Sequence, residues 1–107
     1  MATHDPRQQE AYPLMPAFMV ICTFREGTDM SEVMSVVEEE QAQVAALSAD
    51  GRIGALHLSL ARGTVFIETF ADGVDEATDT VRTLPMAAWW DLDVFPLGAP
   101  PVGAGAA

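Results

Sequence analysis

The hydrophobic pattern divides the chain into six elements. Residues 17–25, AFMVICTFR, are β-branched and aromatic and apolar on both alternating faces, which predicts a buried strand. Glu26-Gly27 ends it. Asp29 then opens a helix, with Glu32 three residues on in capping-box position. That helix is expected to run to about Ala49 and to stop at Asp50-Gly51, because a glycine accepts the left-handed conformation that closes a helix. Ile53–Ala61 predicts a second strand, Arg62-Gly63 a two-residue turn, and Thr64–Ala71 a third strand paired with the second as a hairpin. Asp72-Gly73 starts a second helix, with Asp75 and Glu76 where the helix dipole favours negative charge. Its apolar stripe is Val74, Ala77, Val81 and Leu84, and Pro85 halts it. Trp90–Leu97 alternates polar and apolar residues and predicts the fourth strand. Outside this domain, residues 1–16 are polar, are interrupted by Pro6, Pro13 and Pro16, and read as an arm; residues 98–107, GAPPVGAGAA, are low in complexity and predict a disordered tail.

The order β-α-β-β-α-β is the ferredoxin-like split βαβ arrangement, an α+β fold with a four-stranded antiparallel sheet and two helices on one face. In the second strand Leu56, Leu58 and Leu60 fall on one side, and Ile53, Ala55, His57 and Ser59 on the other. In the first, Phe18, Val20 and Phe24 oppose Met19 and Ile21. Two helices cover only one side of such a sheet, and a second apolar face of this size is unusual on a monomer. The expectation is a homodimer, or a higher homo-oligomer, with sheet facing sheet.

One residue breaks the pattern. The first helix carries Val33, Val37, Glu40, Val44 and Leu47 within one sector of roughly 80° at about 100° per residue. Glu38 and Glu39 point elsewhere. A carboxylate inside a core-facing stripe must be paired, neutral or set in a polar cavity, and desolvation raises its pKa toward the range that suits a general acid or base. Glu40 is therefore the first catalytic candidate. His57, in mid-strand, is the second, as a proton shuttle that titrates near neutrality. Trp89 and Trp90 are candidates to wall an apolar ligand pocket. Phe66 and Glu68 share a strand face with Phe70, and Glu68 is free either to turn inward or to pair with Arg25 or Arg52. Asp91 and Asp93 share one face of the last strand, with Asp91 the candidate ligand contact. Cys22, inside a buried strand, reads as a small hydrophobe.

Composition narrows the classes. The formal net charge of the 107-residue chain is −11, which argues against nucleic acid and anionic membrane surfaces. The five basic residues are Arg7, Arg25, Arg52, Arg62 and Arg82, so lysine Schiff-base chemistry and a phosphate-loop lysine are excluded. Cys22 is the single cysteine, which rules out an intrachain disulfide. No apolar run reaches the length of a membrane span, and the N-terminus lacks a signal-peptide pattern, so a cytoplasmic location is expected. Of two histidines, His4 lies in the arm, which makes a metal site a poor expectation. No glycine-rich loop links a strand to a helix, and no dinucleotide cofactor is expected.

Glu40 through Gly51, the hairpin, and the segment LPMAAWWDLDVFPL (residues 84–97) together resemble the muconolactone isomerase-like family of the dimeric α+β barrel superfamily. The matching marks are Glu40, Gly51, Leu84-Pro85-Met86 and Pro96-Leu97, and the resemblance covers about residues 17–97. It implies a dimeric α+β barrel and proton transfer on an unsaturated lactone, with neither metal nor organic cofactor. Relatives in the superfamily include cofactor-free monooxygenases and aromatic polyketide cyclases. Only Glu40 carries over as a site residue. The family's Trp-Arg pair in the hairpin is His57-Leu58 here, its asparagine is Val65, and its last tyrosine is Trp89. The function expected is that of a cofactor-independent isomerase or cyclase acting on a small apolar, oxygenated ring compound (a lactone, aromatic or polyketide intermediate). A cofactor-free monooxygenase and a non-catalytic dimeric ligand-binding module are the alternatives.

Overall fold

The computed structural model describes residues 15–98. All but the last two residues of the predicted arm, and the predicted tail after Gly98, lie outside the described residues. The elements are β1 (Ala17–Phe24), α1 (Met30–Met34), α2 (Val37–Ala49), β2 (Ile53–Ser59), β3 (Thr64–Phe70), α3 (Val74–Arg82) and β4 (Trp90–Leu97), with short 3-10 turns at Leu60–Arg62 and Pro85–Trp89. The four strands form one antiparallel sheet in the order β2-β3-β1-β4. This is the ferredoxin-like α+β fold.

The predicted first helix is two helices. Asp29 caps α1 by accepting the Ser31 N–H at 2.9 Å. Ser35 then turns its hydroxyl back to the Glu32 carbonyl at 2.6 Å, and Val36 leaves helical geometry at φ −110°, ψ 15°. A serine that bonds a backbone carbonyl and a β-branched pair behind it together weaken the helix at that point. At its far end α2 closes as predicted. Gly51 lies at φ 74°, Arg52 N–H donates to the Leu47 carbonyl at 2.9 Å, and Gly51 N–H donates to Ser48 at 3.1 Å. These paired bonds satisfy carbonyls that the helix end leaves open.

Strand alternation sets the core. Phe18, Val20 and Cys22 of β1, Val65, Ile67 and Thr69 of β3, and Trp90 of β4 are buried, and they meet Leu47 of α2, Ala77 and Val81 of α3, and Leu84 beyond it. β1 and β3 bury alternate residues, and in β4 Trp90 is buried with Leu92 and Val94 partly buried on the same side, so one sheet face packs under the helices. Val74, expected in the α3 stripe, is exposed at the mouth of its helix. The opposite sheet face carries Met19, Ile21, Phe66 and Phe70, all half-buried, and an exposed Phe95.

β2 departs from simple alternation. Leu56 pairs with Ile67 and Ile53 pairs with Thr69, with a bulge between them. Ile53 therefore joins Leu56 on the helix side, opposite to the side that strict alternation assigns it. Gly54 permits this, because a Cβ there would collide with Glu68 Oε1 and lie 3.1 Å from the Phe70 ring. The strand ends at Ser59 instead of Ala61. Leu60 sits in the 3-10 turn with 86% of its surface exposed, and Gly63, at φ 57°, closes that turn in place of a two-residue hairpin loop.

Candidate functional site

Glu40 is the only charged side chain among the described residues that is buried, at 8% exposure. It lies in the first turn of α2, on the stripe that buries Leu47 two turns later. Its Oε1 accepts the Met86 N–H at 2.8 Å. That donor is free for a local reason. Pro85 opens the 3-10 turn after Leu84, so the Met86 N–H is among the donors that a helical start leaves without an internal acceptor. Burial raises the pKa of Glu40, and the Met86 N–H, which favours the carboxylate, opposes part of the rise.

Cys22 of β1 is close enough to feel this charge. Burial, with the Glu40 charge second, pushes its thiol up to about 12. The thiol is therefore protonated near neutral pH and no nucleophile, in keeping with its reading as a small core residue. Trp90 of β4 is a diagonal neighbour of Cys22 on the same sheet face. It pairs with Phe24 across β1 and β4, is 1% exposed, and meets the Phe24 ring edge-on at a centroid distance of 5.9 Å. Its indole Nε1–H is buried without a hydrogen-bond partner.

Arg25 fixes the segment between Met86 and Trp90. Its Nη1 donates to the Trp90 carbonyl at 2.7 Å and reaches Asp91 Oδ1 at 3.3 Å, its Nη2 donates to the Ala88 carbonyl, and its own N–H donates to Trp89 O at 2.9 Å. A planar guanidinium suits such a fork of acceptors.

The predicted site residues divide between the two faces of the sheet. Glu40 and Trp90 lie on the helix side. His57 pairs with Phe66 on the opposite face and is exposed, so it does not meet Glu40 within the chain. The expected acid–base pair is thus not assembled in one protomer; strand pleating sends Leu56 and His57 to opposite sides. Phe66 and Glu68 share the face of His57. Glu68 forms neither of the expected ion pairs with Arg25 or Arg52: its Oε1 accepts the Ala55 N–H at 3.0 Å, at the bulge. Arg52 instead lies 3.8 Å from Glu76. Asp91 and Asp93 are exposed on that same face, with Asp91 paired to Arg25. Trp89 is half-buried at the end of the 3-10 turn.

Three polar links cross from α2 and its end to α3 and the turn beyond it. They are Glu40–Met86, Gln43 Nε2 to Thr83 Oγ1 at 2.9 Å, and Arg52 Nη2 to Thr80 Oγ1 at 3.4 Å. A surface cleft of about 350 Å³ runs along this seam, lined by Gln43, Leu47, Arg52, Asp79, Thr80 and Thr83 among others. It contains none of the predicted site residues and begins one helical turn beyond Glu40. Among the described residues no three His, Cys, Asp or Glu side chains converge to hold a metal ion. No helix among them is long and apolar enough to cross a membrane.

The Met86 N–H was not among the sequence candidates, although Pro85 marks it, and neither was Cys22 as a neighbour of the carboxylate. Compared with known proteins, the chain matches no family model and no curated relative.

Proposed function

We propose that this protein is a cofactor-independent isomerase or cyclase in which Glu40 moves a proton at a carbon beside a carbonyl group of a small, apolar, oxygenated ring compound. The observation that carries this reading is the burial of one carboxyl group on the apolar side of the sheet, with its pKa raised by desolvation. A raised pKa makes the carboxylate a stronger base, and the acid it becomes on taking a proton is a donor. One such group suffices for an allylic shift, from the carbon beside the carbonyl to the far end of an adjacent double bond. It takes the proton as a carboxylate and returns it as a carboxylic acid, so the distance to His57 is no obstacle. The resemblance to muconolactone isomerase-like proteins supports the same chemistry, because Glu40 is the residue that carries over. The apolar far face, with Ile21, Phe66 and Phe95, supports a homodimer packed sheet to sheet, as in a dimeric α+β barrel.

The test is deuterium wash-in from D₂O at the acidic carbons of a panel of cyclic ketones and unsaturated lactones. Wild-type protein is expected to accelerate exchange for at least one compound, and Glu40→Gln to lower that rate by about a hundredfold or more, as removal of a general base does. A Glu40→Gln protein that matches the wild type would overturn the reading.

A further inference from the structure

Trp90 carries a polar atom that the fold itself does not use. Its Nε1–H is buried without a partner in a residue that is 1% exposed. An unpaired buried donor costs about 1–3 kcal/mol, and each such group in a native fold calls for an explanation. Phenylalanine or leucine in its place would fill apolar space without that cost.

Its position supplies the explanation. Trp90 stands on the helix side of β4, opposite Phe24 of β1. Cys22 is two residues from Phe24 on the same face and is therefore a diagonal neighbour of Trp90. The Cys22 thiol is within reach of the Glu40 charge. Met86, which binds Glu40, stands four residues before Trp90 in the turn that leads into β4. The Arg25 fork onto the Ala88 and Trp90 carbonyls holds that turn and the tryptophan backbone together. Glu40 and Trp90 thus occupy the same end of the layer between α2 and the sheet. One is a carboxyl group and the other a donor that cannot accept.

We propose that the Trp90 indole N–H is the hydrogen-bond donor to the carbonyl oxygen of the substrate whose proton Glu40 moves. This rests on the proton-transfer reading of Glu40 and gives the carbonyl oxygen of that reading its donor. When Glu40 Oε2 takes the proton, the electron pair of the broken C–H bond forms the enolate C=C bond and the carbonyl π pair moves to oxygen. The indole N–H stabilises that negative charge and keeps its own proton. In a β,γ-unsaturated compound the enolate is conjugated with the ring double bond, so return of the proton from Glu40 to the γ-carbon restores the carbonyl and leaves the double bond α,β. No other reactant enters.

The experiment uses 1-indanone and indane, two rings of the same shape of which only the first has an accepting oxygen. The protein contains two tryptophans, so a ¹H–¹⁵N spectrum has two indole signals, assigned with Trp89→Phe and Trp90→Phe. Saturating 1-indanone is expected to place the Trp90 indole proton downfield of its position with saturating indane, which brings the same aromatic ring without an accepting oxygen. Trp90→Phe is expected to weaken 1-indanone binding about five- to tenfold with indane affinity held within twofold. A Trp90 indole signal no further downfield with 1-indanone than with indane would overturn the proposal. So would a Trp90→Phe protein that loses both ligands equally, since that result means packing alone. The wild-type spectrum gives its answer even where Trp90→Phe fails to fold. Failure here with Glu40-dependent deuterium exchange intact removes Trp90 and leaves the base in place. An indole response with exchange indifferent to Glu40→Gln removes the base and leaves the Trp90 site.

Discussion

Glu40 Oε1 accepts the Met86 N–H at 2.8 Å, tying the first turn of α2 to a turn 46 positions later in the chain. The bond has two consequences that pull against each other. It supplies an acceptor for a backbone donor that Pro85 leaves exposed, which is a structural duty. It also holds a carboxyl group where burial raises its pKa, which is a chemical opportunity. Substitutions at position 40 separate the two, because glutamine retains an oxygen to accept from Met86 but neither titrates nor serves as a base.

Glu40→Ala leaves the Met86 N–H without its acceptor and opens a small void. Destabilisation of about 1–3 kcal/mol is expected in chemical denaturation. Glu40→Gln tests the titration instead. A carboxyl group whose pKa is higher in the folded state binds its proton more tightly there than in the unfolded chain. Its stabilising contribution is complete below the ordinary carboxylate pKa and is lost as pH rises through the raised one. Wild-type stability relative to Glu40→Gln is thus expected to fall with rising pH across that window and to level off above it. A difference independent of pH would show that Glu40 titrates at its ordinary value.

The Cys22 thiol, pushed up to about 12 inside β1, is expected to resist alkylating reagents at pH 8 in the folded protein and to react once denaturant unfolds it. Mass spectrometry of iodoacetamide-treated samples reads the outcome. Labelling of folded protein at the rate of the unfolded chain would show that β1 opens or that the thiol is not desolvated.

Arg25 holds the Ala88 and Trp90 carbonyls and Asp91 with one guanidinium. Lysine has the charge but not the fork. Arg25→Lys is expected to cost about 1–2 kcal/mol, toward the lower end of charge-assisted bonds because the side chain is half exposed. It is also expected to broaden the Trp90 indole signal as β4 loses its anchor. Unchanged melting and unchanged spectra would make the fork a surface contact without energetic weight.

Phe95→Glu places a charge on the apolar face opposite the helices, where Phe95 pairs across from Met19. If the protein is a sheet-to-sheet dimer, wild type sediments at twice the chain mass and Phe95→Glu shifts toward the monomer. A wild-type monomer at micromolar concentration would remove the dimer from the account.

Much of the fold is legible in the pattern of apolar residues. β4 has its predicted bounds, Gly51 ends α2, and Pro85 follows the end of α3, because each rests on a short-range rule that tertiary context does not override. Glu40 was legible for the opposite reason. It violates the stripe, and the fold buries it all the same. The bulge was not legible from alternation, which has no means of counting an extra residue; Gly54 in mid-strand was the signal that marks such a place. The split between α1 and α2 depends on Ser35 bonding its own backbone, a competition that a helical wheel ignores. The distance between Glu40 and His57 follows from which side of β2 the helices cover. Alternation puts His57 opposite Leu56 and Leu58, but only the packed structure shows that Glu40 approaches from the leucine side. The unpaired Trp90 Nε1 has no signature in sequence, since a buried indole and its missing partner are both products of packing.

The central claim is that Glu40 is a desolvated acid held beside the sheet. The most direct measurement is the ¹³C chemical shift of its side-chain carboxyl carbon, followed through pH and assigned by the signal that Glu40→Gln removes. The account predicts a titration midpoint above that of the other glutamates in the same protein. A midpoint at or below theirs would contradict it, leaving Glu40 an ordinary carboxylate whose one duty is to hold the Met86 amide.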